Sequence, residues 1–339
     1  MTFLNDEEEG TMKAVWYDRT GAAREVLQYG ELPTPSAGVG QVLIRIRASG
    51  VNPSDAGMRR GGTGSMAYPR IVPNSDGAGV VEAVGPGVSE RWVGKRVWFY
   101  NGQRNGRAFG SAAEYIELDV DLVRELPDHV SFAEGATLGI PCMTAHVALF
   151  KAGPVQGRTV LVTGGAGAVG HYAVQLAKWA GATVIATVSS QDKAERALAG
   201  GADHVIDYRR EDVAARVREL TGGEGVHHIV DVDFGGNLAA SLASLRMNGS
   251  LAFYATRGEA APQVPAGALM RLNLSVHGVY LPVSPHEQRR RAQDDITRWI
   301  GTGSRILSVA GTFPLEDAAG AHEMVEAGGK VGTVVVEVG

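Results

Sequence analysis

Three glycines spaced as G-x-G-x-x-G are the residues of this sequence whose types and spacing point most directly to chemistry. Gly165, Gly167 and Gly170 follow the apolar run TVLVTG and lead into the amphipathic stretch VGHYAVQLAKWAG, while Ala168 and Val169 fill the pattern. At a strand-to-helix turn, such glycines permit a tight turn, a close approach of the backbone to a pyrophosphate, and close packing of helix on strand. Free N–H groups at the positive end of the helix would bind the phosphates. The pattern predicts a dinucleotide-binding loop; the alternative is a turn without a ligand.

The residues after the second predicted strand indicate which dinucleotide. The strand TVIATV is followed by Ser189 and Ser190, and then by Lys193. A loop that prefers NAD usually has Asp or Glu here to bind the ribose 2′-hydroxyl. Because hydroxyls and an ammonium accept a 2′-phosphate that a carboxylate would repel, the sequence favours NADPH. Two alternatives stay open: Asp192 as the ribose acid in a shifted register, and Lys193 as a solvated helix residue.

Composition limits the partners. The 339 residues carry a formal net charge of −5, and the pI is near 6.0. Because nucleic acid and anionic membranes attract basic faces, we expect neither as a partner. No stretch reaches the ~20 apolar residues of a membrane span. The single cysteine, Cys142, rules out an internal disulfide and fits a reducing compartment. We expect a cytoplasmic protein with a small-molecule ligand.

The elements that must position these residues fall into two kinds. From Met12 onward, short β-branched runs separated by Gly and Pro predict an antiparallel, barrel-like β domain. From about Val160, strands alternate with helical patterns, which predicts a doubly wound parallel sheet. The predicted organisation is a mobile acidic tail over 1–11, a β domain over 12–133, a nucleotide domain over 134–281, and a return to the first domain over 282–339.

Several motifs together resemble a known family. ASGVNPSD, PNSDGAGVVEAVGPGV, GKRVW, IPCMTAHVAL and VLVTGGAGAVG, in this order, resemble the medium-chain dehydrogenase/reductase superfamily. The best match is its zinc-free, zeta-crystallin-like quinone oxidoreductase branch. The resemblance implies an α/β protein with a Rossmann domain and a GroES-like antiparallel β-barrel catalytic domain. It also implies a homodimer that pairs the last Rossmann strand, SVHGVYL, because an exposed apolar edge is usually covered.

The resemblance argues against zinc. Where zinc alcohol dehydrogenases of this superfamily have their catalytic ligands, this sequence has Asn52, Ser75 with Asp76, and Ile140. Ile140 cannot bind metal, and Asn52 and Ser75 are poor ligands beside thiolate and imidazole. The expected activity is therefore zinc-independent hydride transfer from NADPH to a quinone or an α,β-unsaturated carbonyl. Two alternatives are a catalytically idle NADPH-binding sensor or crystallin-like protein, and a zinc-dependent alcohol dehydrogenase.

The resemblance also implies roles for individual residues. Asn52 is the expected oxyanion or positioning donor and a nicotinamide contact. Gly57 stands where related quinone reductases often have Tyr, which favours a bulkier enone, and Arg60 is a candidate at the rim of the substrate pocket. The other expected cofactor contacts are Thr144, Ser189, Ser190, Lys193, Tyr208, Val232, Tyr254, Val279 and Tyr280.

Overall fold

The computed structural model describes residues 10–62, 64, 66–104, 106–303 and 305–339. The chain divides into two compact units, 1–140 with 307–339, and 141–306. Residues 1–9 of the predicted acidic tail lie outside the described residues, and Thr11 of that predicted tail already pairs with Pro33 in a strand. The unit boundaries also differ from the predicted ones at 133/134 and 281/282.

The first unit is mainly β. Its strands are β1 (Thr11–Trp16), β2 (Gln28–Pro33), β3 (Gln41–Val51), β4 (Asp76–Val84), β5 (Arg96–Phe99), β6 (Tyr115–Asp119), β7 (Val123–Glu125), β14 (Val309–Pro314) and β15 (Thr333–Glu337). Its helices are α1 (Ala23–Val26), α2 (Pro53–Arg60), α3 (Phe132–Gly135) and α11 (Ala318–Ala327). Short helical turns lie at Glu90–Trp92, Val120–Leu122, Leu138–Cys142 and Leu315–Asp317.

The long strand β3 organises this unit. It pairs antiparallel with β4 on one side, and on the other with β6 over its first half and β15 over its last residues. Its side chains alternate, so that Val42, Ile44 and Ile46 are fully buried in the core. The predicted antiparallel arrangement holds for the strand pairs of this sheet except β14 with β15, which are parallel.

The second unit is a parallel sheet with connecting helices. Its strands are β8 (Thr159–Val162), β9 (Thr183–Val188), β10 (His204–Asp207), β11 (Val226–Asp231), β12 (Leu245–Phe253) and β13 (Ser275–Gly278). Its helices are α4 (Met143–Leu149), α5 (Ala168–Trp179), α6 (Gln191–Ala199), α7 (Val213–Leu220), α8 (Phe234–Ser244), α9 (Ala266–Leu272) and α10 (His286–Ile300), with a 3₁₀ turn at Leu281–Val283.

The strand order gives this unit its binding edge. The sheet runs β10-β9-β8-β11-β12-β13, so the chain moves outward from β8 to β10 and then returns to the other side of β8. That reversal is the doubly wound pattern the sequence predicted, and ligands of such sheets bind at the carboxyl ends of the strands beside the reversal.

Helix α10 explains why the second unit extends beyond the predicted boundary at 281. The Asp295 carboxylate lies 2.9 Å from His146 Nε2 of α4, and the Trp299 ring packs edge-on against Tyr172 of α5. Ile296 and Ile300 on the same helix are fully buried. Because these contacts join α10 to α4 and α5, the return to the first unit begins only at Leu307.

Candidate active site

Most of the predicted cofactor residues follow the carboxyl ends of parallel strands. Ser189 and Ser190 come after β9, Tyr208 after β10 and Val232 after β11. Tyr254 follows β12, and Val279 and Tyr280 follow β13. Since all six strands are parallel, these positions lie along one edge of the sheet. Thr144 and Asn52 are exceptions: Thr144 lies in the first turn of α4 and is nearly buried, and Asn52 caps α2 in the first unit.

The glycine loop joins β8 to α5 at the reversal point. Gly164 has a φ of +64°, a left-handed conformation that favours glycine. Its N–H donates to Thr187 Oγ1 at 3.0 Å, and the Gly165 N–H donates to the Thr187 carbonyl at 3.0 Å, so both residues are held against β9. The residue in the left-handed turn is thus Gly164, outside the three-glycine pattern.

Close packing explains the last glycine of the pattern. A Cβ on Gly170 would lie 2.2 Å from the Gly164 carbonyl oxygen, a backbone atom that cannot move aside. The helix start is therefore drawn tightly onto the turn. Because the first turn of a helix has no intrahelical acceptors for its N–H groups, the N–H groups of Ala168, Val169 and Gly170 are suited to bind an anion.

The end of β9 carries hydroxyls and a cation. Ser189 is nearly buried, and its Oγ accepts a hydrogen bond from Lys193 Nζ at 2.9 Å. Ser190 caps α6, accepting the Lys193 N–H at its Oγ at 3.4 Å. Tyr208 is half-exposed, and its N–H donates to the Val188 carbonyl at 3.2 Å. The structure thus brings together Ser189, Ser190 and Lys193, and ties the backbone of Tyr208 to the end of β9.

A buried carboxylate fixes the neighbouring turn after β11. Asp231 is fully buried and accepts hydrogen bonds from Thr163 Oγ1, Asn237 Nδ2 and Ser241 Oγ at 3.2, 2.9 and 2.7 Å. Thr163 Oγ1 in turn accepts the Val232 N–H at 2.9 Å. Asp231 therefore joins the ends of β8 and β11 on either side of the reversal.

The ends of β12 and β13 place three further predicted residues. The Tyr254 N–H donates to the Asp231 carbonyl, and burial, followed by the Asp231 charge, raises the pKa of the Tyr254 hydroxyl above its ordinary range. The Val279 N–H donates to the Phe253 carbonyl, and its side chain is buried. Tyr280 is 62% exposed, so its ring is available to a ligand or to another chain.

The first unit contains a separate cluster of buried polar groups around Asn52. Asn52 caps α2, and its Nδ2 donates to Asp76 Oδ2 at 2.7 Å. The same carboxyl oxygen accepts the Ile140 N–H at 2.8 Å. Burial, followed by the charge of Asp55, raises the pKa of Asp76 well above its ordinary value. One of the two Asn52 amide N–H groups is thus committed to positioning.

Asp55 completes the same cluster. Its Oδ2 accepts the Asn52 N–H at 2.8 Å, while its Oδ1 accepts from Ser75 Oγ at 2.9 Å and pairs with Arg104 at 3.0 Å. These side chains are nearly or fully buried. Asn52, Ser75 and Asp76, the residues expected from the resemblance to stand where zinc enzymes have ligands, are therefore bonded to protein groups. Within the described residues, no group of three or more His, Cys, Asp or Glu is arranged to hold a metal.

A hydrogen-bonded chain leads from α11 to this cluster. His322 Nε2 donates to Asn74 Oδ1 at 3.0 Å, and Asn74 Nδ2 donates to Ser49 Oγ at 2.9 Å. Ser111 Oγ donates to the Asp76 carbonyl at 2.6 Å, so its contact with Ser49 Oγ at 2.7 Å is one that Ser49 donates. Burial lowers the pKa of His322 to about 3. The imidazole is therefore neutral and fixed as a donor.

The two substrate-pocket candidates, Gly57 and Arg60, differ in their surroundings. Gly57 lies within α2, and a Cβ there would meet no atom within 4 Å. Arg60 is exposed, and its guanidinium pairs with Glu326 of α11 at 3.0 Å. Glu326 also pairs with the fully buried Arg59. Open space thus lies where a Gly57 side chain would begin, whereas Arg60 has a structural partner.

Comparison with known proteins identifies the family. The Zinc-binding dehydrogenase family matches residues 168–296, and the Alcohol dehydrogenase GroES-like domain matches residues 38–128. A 2-haloacrylate reductase from Burkholderia sp is 34% identical over 340 residues, covering 96% of this chain and 98% of the relative. A quinone oxidoreductase from Mus musculus is 30% identical over 330 residues, with 96% and 97% covered. The chain belongs to the medium-chain dehydrogenase/reductase superfamily.

Within this superfamily, the match to several quinone oxidoreductases places the chain in the quinone oxidoreductase branch. The solved structure of Escherichia coli quinone oxidoreductase complexed with NADPH is 28% identical, with a TM-score of 0.81, and covers 97% of this chain and 100% of that one. The predicted family, the Rossmann and GroES-like fold and the assignment as an oxidoreductase are confirmed. Within the described residues, no helix of this superfamily member is both long enough and apolar enough to cross a membrane.

Two residues that organise the site of this dehydrogenase/reductase were missed from sequence. Gly164 precedes the G-x-G-x-x-G pattern, and the doublet Gly164–Gly165 was the available signal. In the sequence, Asp231 is an acidic residue at the end of a predicted strand with no pattern that marks it. Its hydrogen bonds to Thr163, Asn237 and Ser241 are visible only in the tertiary structure.

Proposed function

We propose that this protein is an NADPH-dependent, zinc-independent reductase that transfers hydride to a quinone or an α,β-unsaturated carbonyl. The observation that carries the proposal is the edge of the parallel sheet, where a glycine loop and helix N-terminus adjoin Ser189, Ser190 and Lys193. Asp192, the alternative ribose acid, lies on the exposed surface of α6, whereas the Lys193 ammonium points back to the strand end. This arrangement offers a cation and hydroxyls where a 2′-phosphate would need them.

The proposed roles follow from what each group can donate. The N–H groups of Ala168, Val169 and Gly170 bind the diphosphate, and Lys193 with Ser189 and Ser190 binds the 2′-phosphate. Tyr208 flanks the adenosine, while Val232, Tyr254, Val279, Tyr280 and Thr144 position the nicotinamide. When bound, NADPH supplies the hydride.

Asn52 is the proposed donor to the oxygen on which negative charge develops. Its amide is held by Asp76, so it is oriented before the acceptor binds, and such preorganised donors are the main means of stabilising developing charge. The acceptor class follows from the relatives: one is named for a quinone, and a 2-haloacrylate is likewise a conjugated, electron-poor acceptor. The open space at Gly57 favours bulkier acceptors of this kind.

Zinc independence is part of the proposal. Asn52 and Ser75 are weak zinc ligands, Ile140 has no ligating side chain, and Asn52, Ser75 and Asp76 already form hydrogen bonds among protein groups. Elemental analysis should find far less than one zinc per chain, with turnover insensitive to chelator. About one zinc per chain, lost together with activity, would instead support an alcohol dehydrogenase.

An acceptor panel tests the activity. The protein is mixed with NADPH and quinones, enones or 2-haloacrylates of graded size, and loss of nicotinamide absorbance is followed. Turnover with at least one class is expected. Tight NADPH binding without turnover of any acceptor would favour the catalytically idle protein instead.

Lys193→Ala tests the cofactor assignment. Because only NADPH carries the 2′-phosphate, the Kd for NADPH should rise about 10- to 100-fold while that for NADH changes little. Asp192→Asn on the same turn is the control and should leave the preference intact. Equal losses for both nucleotides with Lys193→Ala would show that this lysine does not bind the 2′-phosphate.

We also propose a cytoplasmic homodimer. Cys142 is buried and free, which suits a reducing compartment. In the described sheet β13 pairs only with β12 and forms the edge, and the exposed Tyr280 follows it. Pairing of this edge with a second copy would cover it. Light scattering at micromolar concentration should give twice the 35.6 kDa chain mass, and a monomer would contradict the dimer.

A further inference from the structure

Arg196 is a second cation beside the glycine loop. It lies on α6 three residues after Lys193, so the two side chains share one face of the helix. Its Nε donates to the carbonyl oxygen of Ala166 at 3.2 Å, inside the loop between β8 and α5. The side chain is half-buried.

The described groups that face Arg196 are uncharged at neutral pH. It faces the Ala166 carbonyl, the His171 imidazole and the Tyr172 phenol. His171 is 2% exposed, and burial, with the Arg196 charge, lowers its pKa to about 4, so the ring is neutral. Within the described part of the chain, Arg196 forms no ion pair with a carboxylate. A partly buried cation without a counter-charge is unfavourable unless a ligand supplies one.

The Ala166 bond also orients the guanidinium. With Nε committed, the remaining N–H groups are those on Nη1 and Nη2, and this planar pair matches two oxygens of a phosphate. Lys193 is anchored on Ser189 after β9, and Arg196 on Ala166 after β8. Because β8 and β9 are neighbours in the sheet, the two cations are anchored to the ends of adjacent strands.

We propose that Arg196 is a second specificity-determining residue, which binds the 2′-phosphate of NADPH through Nη1 and Nη2 while Nε remains on Ala166. The inference rests on the proposed NADPH-dependent function and deepens it. A 2′-phosphate carries nearly two negative charges at neutral pH, and Lys193 and Arg196 together neutralise it.

The experiment compares Arg196→Met and Arg196→Lys with the wild-type full chain. Titration calorimetry with NADPH, NADH and 2′,5′-ADP gives the three Kd values without reference to turnover. Arg196→Met should weaken NADPH and 2′,5′-ADP about 10- to 100-fold and leave NADH within about twofold, because only the first two carry the 2′-phosphate. Arg196→Lys keeps the positive charge but loses the planar guanidinium, so its affinity for NADPH and 2′,5′-ADP should fall less than that of Arg196→Met.

A matched control and a double variant sharpen the result. Arg216→Met removes a half-exposed arginine of α7 that pairs with Glu219, and should change none of the three Kd values. In Lys193→Ala with Arg196→Met, the preference for NADPH over NADH should disappear. Should Arg196→Met fail to fold by circular dichroism, Arg196→Lys carries the test.

Each failure has its own signature. Equal losses of affinity for NADPH and NADH would mean that Arg196 only supports the glycine loop, and would overturn the inference. Unchanged binding of all three ligands would overturn it as well. A wild-type chain with no preference for NADPH over NADH would overturn the proposed cofactor preference itself, and the inference with it.

Discussion

The two regions proposed to serve catalysis differ in how their polar groups are paired. At the carboxyl edge of the parallel sheet, two cations lie near the helix N–H groups, and the structure gives them neutral partners: Lys193 bonds to Ser189 Oγ and Arg196 to the Ala166 carbonyl. Around Asn52 in the first unit, by contrast, Asp76 accepts from the Asn52 side chain, and Asp55 accepts from the Asn52 N–H, from Ser75 Oγ and from Arg104. The first region is built to receive an anion, and the second to hold a few groups rigidly.

This contrast explains what each region can do. Unpaired donors at a sheet edge are satisfied by a charged ligand, so affinity and nucleotide choice arise there. A buried network of hydrogen-bonded side chains contributes orientation, because losing the acceptor of a buried donor is costly. The contrast predicts that changes at the edge mainly alter binding, whereas changes in the network mainly alter stability and positioning.

Gly170→Ala is the largest expected disruption of the edge. The new Cβ would meet the Gly164 carbonyl oxygen at 2.2 Å, so the helix start must move away from the turn. Overpacking of this kind costs ~1–3 kcal/mol, and the displaced N–H groups should raise the Kd of NADPH and NADH alike by about 100-fold or more. Fluorescence titration with both nucleotides measures this. Unchanged binding would mean that the loop does not hold the diphosphate.

Acid should weaken the network through His322. Burial holds its pKa at about 3, against 6.5 for an ordinary histidine. Below pH 6.5, His322 therefore binds a proton in the unfolded chain but not in the folded chain. The free energy of unfolding falls as the pH decreases from 6.5 toward 3. The slope approaches ~1.4 kcal/mol per pH unit for this group. His322→Gln, which keeps a donor for Asn74, should flatten the decline in melting temperature between pH 6.5 and 4.

The matched control for this acid effect is His129→Gln, at an exposed histidine. That variant should keep the wild-type slope. If His322→Gln melted with the same pH dependence as the wild type, the buried imidazole would not be the group responsible.

The same contrast explains what the sequence could predict. The edge depends on local patterns: the glycine spacing, the strand-helix alternation and the residues after TVIATV predict where Gly165, Gly170, Ser189 and Lys193 lie. The network depends on tertiary contacts between residues far apart in the chain, such as His322 with Asn74 and Arg104 with Asp55, which no local pattern reveals. The division of the units after Ile306 differs from the predicted boundary at 281 for the same reason, since α10 joins the second unit through Asp295 and Trp299.

Asp76 tests how the network holds Asn52. Its Oδ2 accepts from both Asn52 and Ile140, and burial raises its pKa, so a neutral amide at this position can take over the acceptor role. Asp76→Asn should lower the free energy of unfolding by less than about 1 kcal/mol. Asp76→Ala, which leaves two buried donors without an acceptor, should lower it by about 2–4 kcal/mol. Denaturant unfolding measures both. Equal damage by the two substitutions would show that Asp76 acts as a charged carboxylate.

Gly57→Ala should have the smallest effect on stability and nucleotide binding. It contrasts most directly with Gly170→Ala, since both glycines lie in helices. A Cβ at Gly57 meets nothing within 4 Å, and Ala is a better helix former than Gly by ~0.5–1 kcal/mol, so the variant should be slightly more stable than the wild type. Nucleotide Kd values should not change, because the added methyl group displaces no neighbouring atom. Gly57→Tyr then probes the space itself: kcat/KM should fall for bulky enones more than for small quinones. A uniform fall for all acceptors, or a destabilised Gly57→Ala, would mean that the space around Gly57 serves folding rather than acceptor choice.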